Sequence, residues 1–290
     1  MSAMLRAQRL LKKRVVVTAA GAGIGRAIAQ RLHAEGAQVV GCDVDGAAMD
    51  ALARDIDIVP FTVDVSSEAA VAAMFADVAR RFGGLDGVVN SAGVAGEAGA
   101  VTELRVDRWR DLFAVNVEGP MVCIKHAVPL LRAPKPAGLA AGGAIVNISS
   151  TGGGLTGYPH RAPYATSKAA LNGLTSTLAM ELGPEKIRVN TLCPGLIAGD
   201  RCDAVVKLTA DASGVAESAV RATWRAQNMM RSFLDAEDIA AYVSFLLSDD
   251  ARFVTNQNIC VDAGTTSLDN LDDYEALVPK ARDEDRSEAA

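Results

Sequence analysis

The stretch VVVTAAGAGIG occupies residues 15–25 and decides how the rest of the chain is interpreted. A β-branched run ends in a turn with three glycines, and a stretch with helical periodicity follows directly at residues 26–35. Glycines in such a turn let the backbone approach a pyrophosphate, and the N-terminus of the helix stabilises its negative charge. The stretch therefore indicates the first strand, turn and helix of a nucleotide-binding α/β domain, although a glycine turn alone is weak evidence.

Further β-branched runs alternate with helical periods along the chain. Including the first, the predicted strands lie at residues 15–18, 37–42, 58–63, 87–90, 144–149, 187–192 and 257–261. Apolar spacing predicts a helix over residues 67–82, and an acidic cap predicts another from about residue 235 to residue 247. This alternation is typical of a parallel sheet covered on both faces. We predict one doubly wound (Rossmann) α/β domain with a seven-stranded parallel sheet and helices on both faces.

Three segments depart from the alternation. Residues 1–13 form a basic leader, and residues 269–290 form a tail with eight acids and three bases. We expect the leader to be solvated, since it lacks the apolar segment and cleavage site of a targeting peptide, and we expect the tail to be disordered. The domain then spans residues 14–268. Within it, residues 196–234 follow the sixth strand as a long excursion, which is placed to cover a ligand at the carboxyl edge of the sheet.

The composition excludes several classes of protein. Of 290 residues, 50% are hydrophobic and 22% are charged, as in a globular protein with a core. No apolar run is long enough for a membrane-spanning helix, and the net charge of −6 argues against a nucleic-acid binder. Five scattered cysteines without a CxxC pair argue against a disulfide framework and a zinc site. We expect a cytoplasmic protein with reduced thiols, no metal, and neither a membrane nor a nucleic acid as partner.

An acid at the end of the second strand bears on the choice of cofactor. Asp43 follows the second predicted strand, where a carboxylate can bind the adenosine ribose hydroxyls and would repel a 2′-phosphate. We therefore favour NAD over NADP. The alternative is that Asp43 is an ordinary solvated carboxylate at the end of a strand.

A tyrosine and a lysine four residues apart carry the chemistry. Tyr164 and Lys168 lie on one face of a predicted helix, and the preceding strand ends in Ser149 and Ser150 at the edge that holds the glycine turn. A free tyrosine has a pKa of about 10, and a nearby ammonium group lowers it by favouring the phenolate. This spacing also occurs by chance on surface helices. The serines in front of it favour a general acid/base site.

Together these features resemble the short-chain dehydrogenase/reductase family over about residues 13–266. The remaining matches, in chain order, are Asp64-Val65, Asn90-Ser91-Ala92-Gly93, Asn116, Pro194-Gly195 and Val261-Asp262-Ala263-Gly264. The resemblance implies an NAD(P)-dependent oxidoreductase that interconverts a secondary alcohol and a ketone, commonly as a homotetramer. The alternative is a catalytically idle nucleotide-binding regulatory or scaffold protein on the same fold, against which the retention of all four catalytic residues argues.

The resemblance also implies roles for individual residues. Tyr164 would be the general acid/base, Ser150 would hold the substrate oxygen, Lys168 would bind the nicotinamide ribose, and Asn116 would anchor a water molecule. Ser149 stays in reserve for the serine role, because the glycine run 152–154 makes the following loop one residue longer than usual. The implied cofactor-binding residues are Thr18, Gly21, Gly23, Ile24, Gly25, Asp43, Asp64, Val65, Asn90, Ala92, Gly93, Tyr164, Lys168, Pro194, Gly195 and Ile197.

The substrate pocket is expected between the loop after Ser150 and the excursion. The candidate substrate residues are Ser150, Leu155, Tyr158, His160, Met229 and Met230. With Trp224 and Phe233 they favour a medium-sized, partly apolar substrate, whereas Arg161 and Arg201 offer an alternative in which an anionic group binds. Where the family often has a threonine that contacts the carboxamide, this chain has Gly199.

Overall fold

The structure is a computed structural model, and it describes residues 9–135 and 142–267. Its strands are β1 (Arg14–Thr18), β2 (Gln38–Asp43), β3 (Ile58–Thr62), β4 (Gly87–Asn90), β5 (Gly143–Ile148), β6 (Ile187–Pro194) and β7 (Asn258–Val261). They form one sheet in the order β3-β2-β1-β4-β5-β6-β7, in which every pairing is parallel. The predicted doubly wound, seven-stranded parallel sheet is confirmed.

Helices connect consecutive strands and cover the sheet. They are α1 (Gly23–Ala34), α2 (Gly46–Asp55), α3 (Glu68–Phe82), α4 (Val106–Phe113), α5 (Gly119–Leu131), α6 (Ala162–Leu182), α7 (Asp200–Ser213), α8 (Glu217–Arg225) and α9 (Ala236–Leu247). The predicted helices at residues 67–82 and 235–247 correspond to α3 and α9. Ser67 caps α3, and the predicted acidic cap of α9 is a capping box between Asp235 and Asp238.

The core consists of two apolar layers, one on each face of the sheet. One layer joins β-strand residues to α1 and α9, and the other joins them to α3, α5 and α6. Every residue of β1 and β4 is buried, which explains why the central strands are continuous apolar runs in the sequence. The strand order reverses between β1 and β4, so a crevice for ligands is expected at the carboxyl ends of these strands.

A buried ion cluster lies at the opposite edge of the sheet, where β1 and β4 begin. The Arg14 Nε donates to Asp86 Oδ2 over 2.7 Å, and the Lys135 Nζ lies 3.1 Å from Asp86 Oδ1. Burial alone would raise the pKa of Asp86, but the hydrogen bonds from Arg14 and the charge of Lys135 outweigh it and hold this pKa below its ordinary value.

The two ends of the excursion after β6, residues 196–234, are hydrogen-bonded to each other. The Ala198 amide donates to the Leu234 carbonyl over 2.8 Å, and the Leu234 amide donates to the Leu196 carbonyl over 2.9 Å. Helices α7 and α8 share a small core, and Trp224 and Phe233 pack against it. These two aromatic side chains therefore support the excursion itself.

Residues 9–13, which the sequence assigned to the basic leader, are attached to the domain. Leu10 is completely buried, its amide donates to the Glu35 carbonyl over 3.0 Å, and the Lys13 Nζ pairs with Asp249 over 2.7 Å. The expectation of a solvated leader up to residue 13 is thus wrong for residues 9–13, which belong to the domain. Residues 1–8 and the predicted tail at 269–290 lie outside the described residues. Among the helices of the described ranges, none has the length and apolar character needed to cross a membrane.

Candidate active site

The glycine turn after β1 is bound to the turn after β4. The Thr18 hydroxyl oxygen accepts hydrogen bonds from the amides of Ser91 and Ala92, both over 3.0 Å. These bonds bring the two turns together at the point where the strand order reverses. Thr18 and Ala92, two of the predicted cofactor-binding residues, therefore lie side by side.

The shape of the turn explains which glycines it needs. A Cβ on Gly25 would lie 2.0 Å from the Ala19 carbonyl oxygen, so only glycine fits. Gly23 has a φ of +53° and open space around it, and Ala22 at the N-cap of α1 offers no side-chain hydrogen bond. The first amides of α1 are left available for an acceptor. This cradle fits the diphosphate of a dinucleotide.

Asp43 closes one side of the cradle. Its Oδ2 accepts from the Gly21 amide over 3.0 Å, and its Oδ1 accepts from the Asp45 amide over 3.1 Å. Arg26 donates to the Gly21 carbonyl over 3.3 Å and forms an ion pair with Asp55. The acidic group thus lies at the turn, and the nearby guanidinium group is already paired.

Asp64 and Val65 follow β3 as predicted, but their side chains have local partners. Asp64 Oδ1 accepts from the amide and the hydroxyl of Ser66, over 2.9 and 2.7 Å. Val65 is buried against Gly119, on which a Cβ would lie 2.8 Å from the valine Cγ2. Their predicted contact with a cofactor would therefore come from the backbone of this segment.

Asn90 belongs to a buried polar network that the sequence analysis missed. Its Nδ2 donates to Asn147 Oδ1 over 2.8 Å, and the Asn147 Nδ2 donates to the Thr175 hydroxyl over 2.9 Å. The Thr191 hydroxyl also donates to Thr175, over 2.7 Å. The network ties β4, β5 and β6 to α6. The signal in the sequence was the presence of amides and hydroxyls inside otherwise apolar strands.

Asn116 lies in the π-helical turn Ala114–Glu118 between α4 and α5 and is completely buried. Its Nδ2 donates to the Val94 carbonyl and to the Ser167 hydroxyl, both over 3.0 Å, while its Oδ1 accepts from the Val94 amide over 2.8 Å. The side chain thereby fixes the segment after Gly93 beside α6. Any water-anchoring role would fall to another atom of this residue.

Lys168 is held beneath Tyr164. Its Nζ donates to the Ile148 carbonyl over 2.8 Å and lies 5.7 Å from the centroid of the Tyr164 ring. The side chain is buried next to Gly93, where a Cβ would come within 3.3 Å of the Nζ. Burial, followed by the charge of Arg201, lowers the pKa of Lys168 to about 8. The site therefore holds a positive charge next to the phenol.

The two serines after β5 differ in their surroundings. The Ser149 hydroxyl is buried and donates to the Lys168 carbonyl over 2.9 Å. Its proton is therefore already used in a hydrogen bond between β5 and α6. Ser150 is only half-buried at the carboxyl edge of the sheet. This difference favours Ser150 over Ser149 as the residue that faces a substrate.

The segment after β6 completes the predicted cofactor edge. The Gly195 amide donates to the Val261 carbonyl over 2.9 Å, and a Cβ on Gly195 would lie 2.8 Å from the Asp262 Cα. Ile197 packs on the core in part. Gly199 has φ and ψ of +127° and 177°, a conformation that essentially only glycine adopts. A threonine at position 199, where the family often has one, could not adopt this backbone conformation without strain.

The predicted substrate residues lie around this edge with different exposure. The Tyr158 and Tyr164 rings meet edge to face with 6.5 Å between centroids, and Met229 lies against Gly264. Leu155 is exposed, as is most of Met230, and His160 has a positive φ in a loop whose carbonyl binds the Gly99 amide. Tyr158 is the candidate with a direct contact to the predicted catalytic tyrosine. The part of the chain that the structure describes contains no cluster of three or more potential metal ligands.

Comparison with known proteins agrees with this geometry. A family model described as enoyl-(acyl carrier protein) reductase matches residues 18–266. The meso-2,3-butanediol dehydrogenase of Serratia marcescens is 35% identical over 264 residues, which cover 90% of this chain and 97% of that protein. The trans-4-hydroxycyclohexanecarboxylate dehydrogenase of Sinomonas cyclohexanicum is 33% identical over 274 residues, which cover 91% and 96%. The crystal structure of levodione reductase aligns with a TM-score of 0.81 at 29% identity, over 89% of this chain and 100% of that one.

The chain belongs to the short-chain dehydrogenase/reductase family. Its similarity to dehydrogenases and reductases of alcohols and ketones identifies this short-chain dehydrogenase/reductase as an oxidoreductase that acts on CH–OH donors or the corresponding carbonyls. The family uses a nicotinamide cofactor, which the uncapped α1 and the open Gly23 fit.

Proposed function

We propose that this enzyme interconverts a secondary alcohol and a ketone with NAD, and that Tyr164 is the general acid/base. The observation that carries the proposal is the buried ammonium group of Lys168, fixed by the Ile148 carbonyl beneath the Tyr164 ring. A positive charge at this place favours the phenolate over the phenol. A surface helix with the same spacing would leave its lysine solvated. The alternative of a catalytically idle scaffold finds no support in the relatives, which are named as enzymes.

Each of the four residues then has a defined task. During alcohol oxidation Tyr164 accepts the hydroxyl proton, the Ser150 hydroxyl holds the substrate oxygen, and Lys168 stabilises the phenolate. Asn116 maintains the segment after Gly93 and would anchor a water molecule for the proton relay. When bound, the nicotinamide supplies the hydride chemistry. General acid/base catalysis contributes roughly 10²–10⁴-fold, and positioning contributes the remainder.

The preference for NAD rests on Asp43 and Arg26. A 2′-phosphate on the adenosine ribose would meet the Asp43 carboxylate at the turn, and the Arg26 guanidinium group that could neutralise it is paired with Asp55. The ribose of NAD presents hydroxyl groups, which a carboxylate accepts as hydrogen-bond donors. NADP is therefore the less favourable cofactor.

The substrate is proposed to be medium-sized and partly apolar, because the Tyr158 ring lies against Tyr164 and the predicted substrate residues Leu155 and Met229 expose apolar side chains. The butanediol and hydroxycyclohexanecarboxylate named for two relatives define a suitable range of test alcohols. A cytoplasmic location and a homotetramer complete the proposal: the five cysteines are free, and the family commonly forms tetramers.

Thermal unfolding with equal concentrations of NAD⁺ and NADP⁺ tests the cofactor. A ligand at 100 times its Kd adds about 2.7 kcal/mol of stability, and we expect this shift with NAD⁺ only. In Asp43→Ser the preference for NAD⁺ should shrink or reverse. Asp45→Ser is the matched control, because it removes a neighbouring acid while serine still caps α2, so it should keep the preference. Stabilisation by NADP⁺ alone would contradict the Asp43 argument.

A further inference from the structure

The loop after Ser150 is folded tightly upon itself. The Thr151 carbonyl accepts from the amides of Leu155 and Thr156 over 3.2 and 3.1 Å, and the Gly153 amide donates to the Thr156 carbonyl over 2.8 Å. The Thr151 amide donates to the Pro194 carbonyl over 3.0 Å, which ties the start of the loop to β6.

The same loop is fixed to α6 at three points. The Ser149 hydroxyl donates to the Lys168 carbonyl over 2.9 Å, and a Cβ on Gly153 would lie 2.5 Å from the Ala165 Cα. At the third point, Asn172 Nδ2 donates to the Gly154 carbonyl over 2.8 Å. Ser150 lies between the first and third points. Its position relative to Tyr164 therefore depends on how this loop is attached to α6.

Gly154 lies directly over the serine backbone. A Cβ on Gly154 would come within 2.2 Å of the Ser150 carbonyl oxygen and 2.7 Å of the Ser149 hydroxyl. Gly154 therefore packs directly against the backbone of Ser150, whose neighbours Ser149 and Thr151 donate their amides to β6. Asn172 holds Gly154, and its own Oδ1 is buried with no hydrogen-bond partner among the described residues. The hydrogen bond to the Gly154 carbonyl is thus the polar contact that the structure shows for the Asn172 side chain.

We propose that Asn172 is a positioning residue that sets the distance between Ser150 and Tyr164. It lies eight residues after Tyr164 and four after Lys168, so the helical spacing places all three side chains along one side of α6. By fixing Gly154, it holds the loop against the helix that carries the general acid/base. The inference rests on the proposed function, because it assigns Ser150 to the substrate oxygen.

The test is a double-mutant cycle between Asn172 and Ser150. Asn172→Leu removes the donor at similar volume, and Asn172→Ser is a second, smaller change in case the leucine variant does not fold. We expect each to lower kcat for alcohol oxidation about tenfold, since small displacements of catalytic groups cost one to two orders of magnitude. The KM for NAD⁺ should not change. In the Ser150→Ala background the same substitutions should change kcat less than twofold.

Two further measurements separate positioning from simple loss of stability. Asn190→Leu is the control for stability: this buried β6 amide donates to the Val254 carbonyl over 2.9 Å and accepts from the Gln257 amide over 3.1 Å, so its loss should destabilise the fold at least as much and still keep kcat. Hydrogen exchange of the amides of residues 153–156 should accelerate in Asn172→Leu, whether or not a substrate is known. An equal loss of kcat in both serine backgrounds would overturn the proposal, as would unchanged exchange. Absence of turnover in the wild type would instead refute the proposed function, and the exchange measurement would still test the attachment of the loop.

Discussion

Replacement of Lys168 by methionine is expected to inactivate the enzyme and at the same time to stabilise the cofactor-free protein near neutral pH. Burial lowers the pKa of this lysine from 10.5 to about 8. Because one pKa unit corresponds to about 1.4 kcal/mol, carrying the proton in the folded state costs about 3 kcal/mol. Methionine avoids that cost but loses the hydrogen bond to the Ile148 carbonyl, which is worth about 1 kcal/mol. A net gain of about 2 kcal/mol at pH 7 follows.

The pH dependence identifies the cause. Between about pH 8 and pH 10.5 the unfolded chain binds the Lys168 proton more strongly than the folded chain, so wild-type stability rises with pH in this window. Below pH 8 the cost is fully present. Urea unfolding of both proteins from pH 7 to pH 10.5 should therefore show the stability difference change by about 3 kcal/mol, from an advantage of Lys168→Met of about 2 kcal/mol to a deficit of about 1 kcal/mol.

A control at an exposed lysine completes this test. Lys207 is exposed on α7, so Lys207→Met should leave the pH dependence of stability unchanged. A stability difference between wild type and Lys168→Met that is the same at every pH would refute the reasoning, because Lys168 would then not be perturbed by the fold.

Three further predictions concern the backbone and the buried ion cluster. Ala19 has a φ of +53°, so Ala19→Gly should relieve strain and raise stability by roughly 0.5–1 kcal/mol in thermal unfolding; a lower stability of the glycine variant would contradict this conformation. Gly199→Thr should lower stability by about 1–3 kcal/mol and raise the KM for substrate, because φ of +127° excludes a β-branched residue; a threonine that improves KM would contradict the backbone path. Asp86→Asn should cost about 3–5 kcal/mol at pH 7, because Arg14 and Lys135 lose their buried counter-charge. Since the pKa of Asp86 is lowered, this stability is present above its ordinary pKa and lost as pH falls below it, so a loss that persists unchanged in acid would contradict the assignment.

Much of the fold could be predicted because its central strands are buried on both faces. Short β-branched runs such as Val15–Val17 in β1 favour buried strands, and the ends of all seven strands lie within two residues of the predicted ones. The order β3-β2-β1-β4-β5-β6-β7 was not predicted, because helix–strand alternation is common to several doubly wound strand orders. The boundary of the leader could not be predicted, because the single buried side chain of Leu10 has no periodic pattern around it and lies between the basic residues Arg9, Lys12 and Lys13.

The parts of the site that lie on one helix could be predicted from residue spacing, whereas the parts that depend on the conformation of loops could not. Tyr164 and Lys168 follow from the period of a helix, whereas the attachment of Asn172 to Gly154 joins residues that no periodicity connects. The choice between Ser149 and Ser150 as the residue that faces the substrate likewise required the position of the Lys168 carbonyl, to which Ser149 donates. Trp224 and Phe233 were ambiguous because an apolar side chain on a covering helix can face either the ligand or the core of the helix pair itself.

The central claim is that Tyr164 transfers the proton in a hydride-transfer reaction, and Tyr164→Phe tests it most directly. The decisive measurement is the rate of formation of reduced nicotinamide from NAD⁺ and a panel of secondary alcohols, with NAD⁺ affinity measured in parallel by thermal shift. We expect wild type to turn over at least one alcohol, and Tyr164→Phe to bind NAD⁺ equally well while losing roughly 10²–10⁴-fold in kcat. Equal turnover by the two proteins would contradict the account.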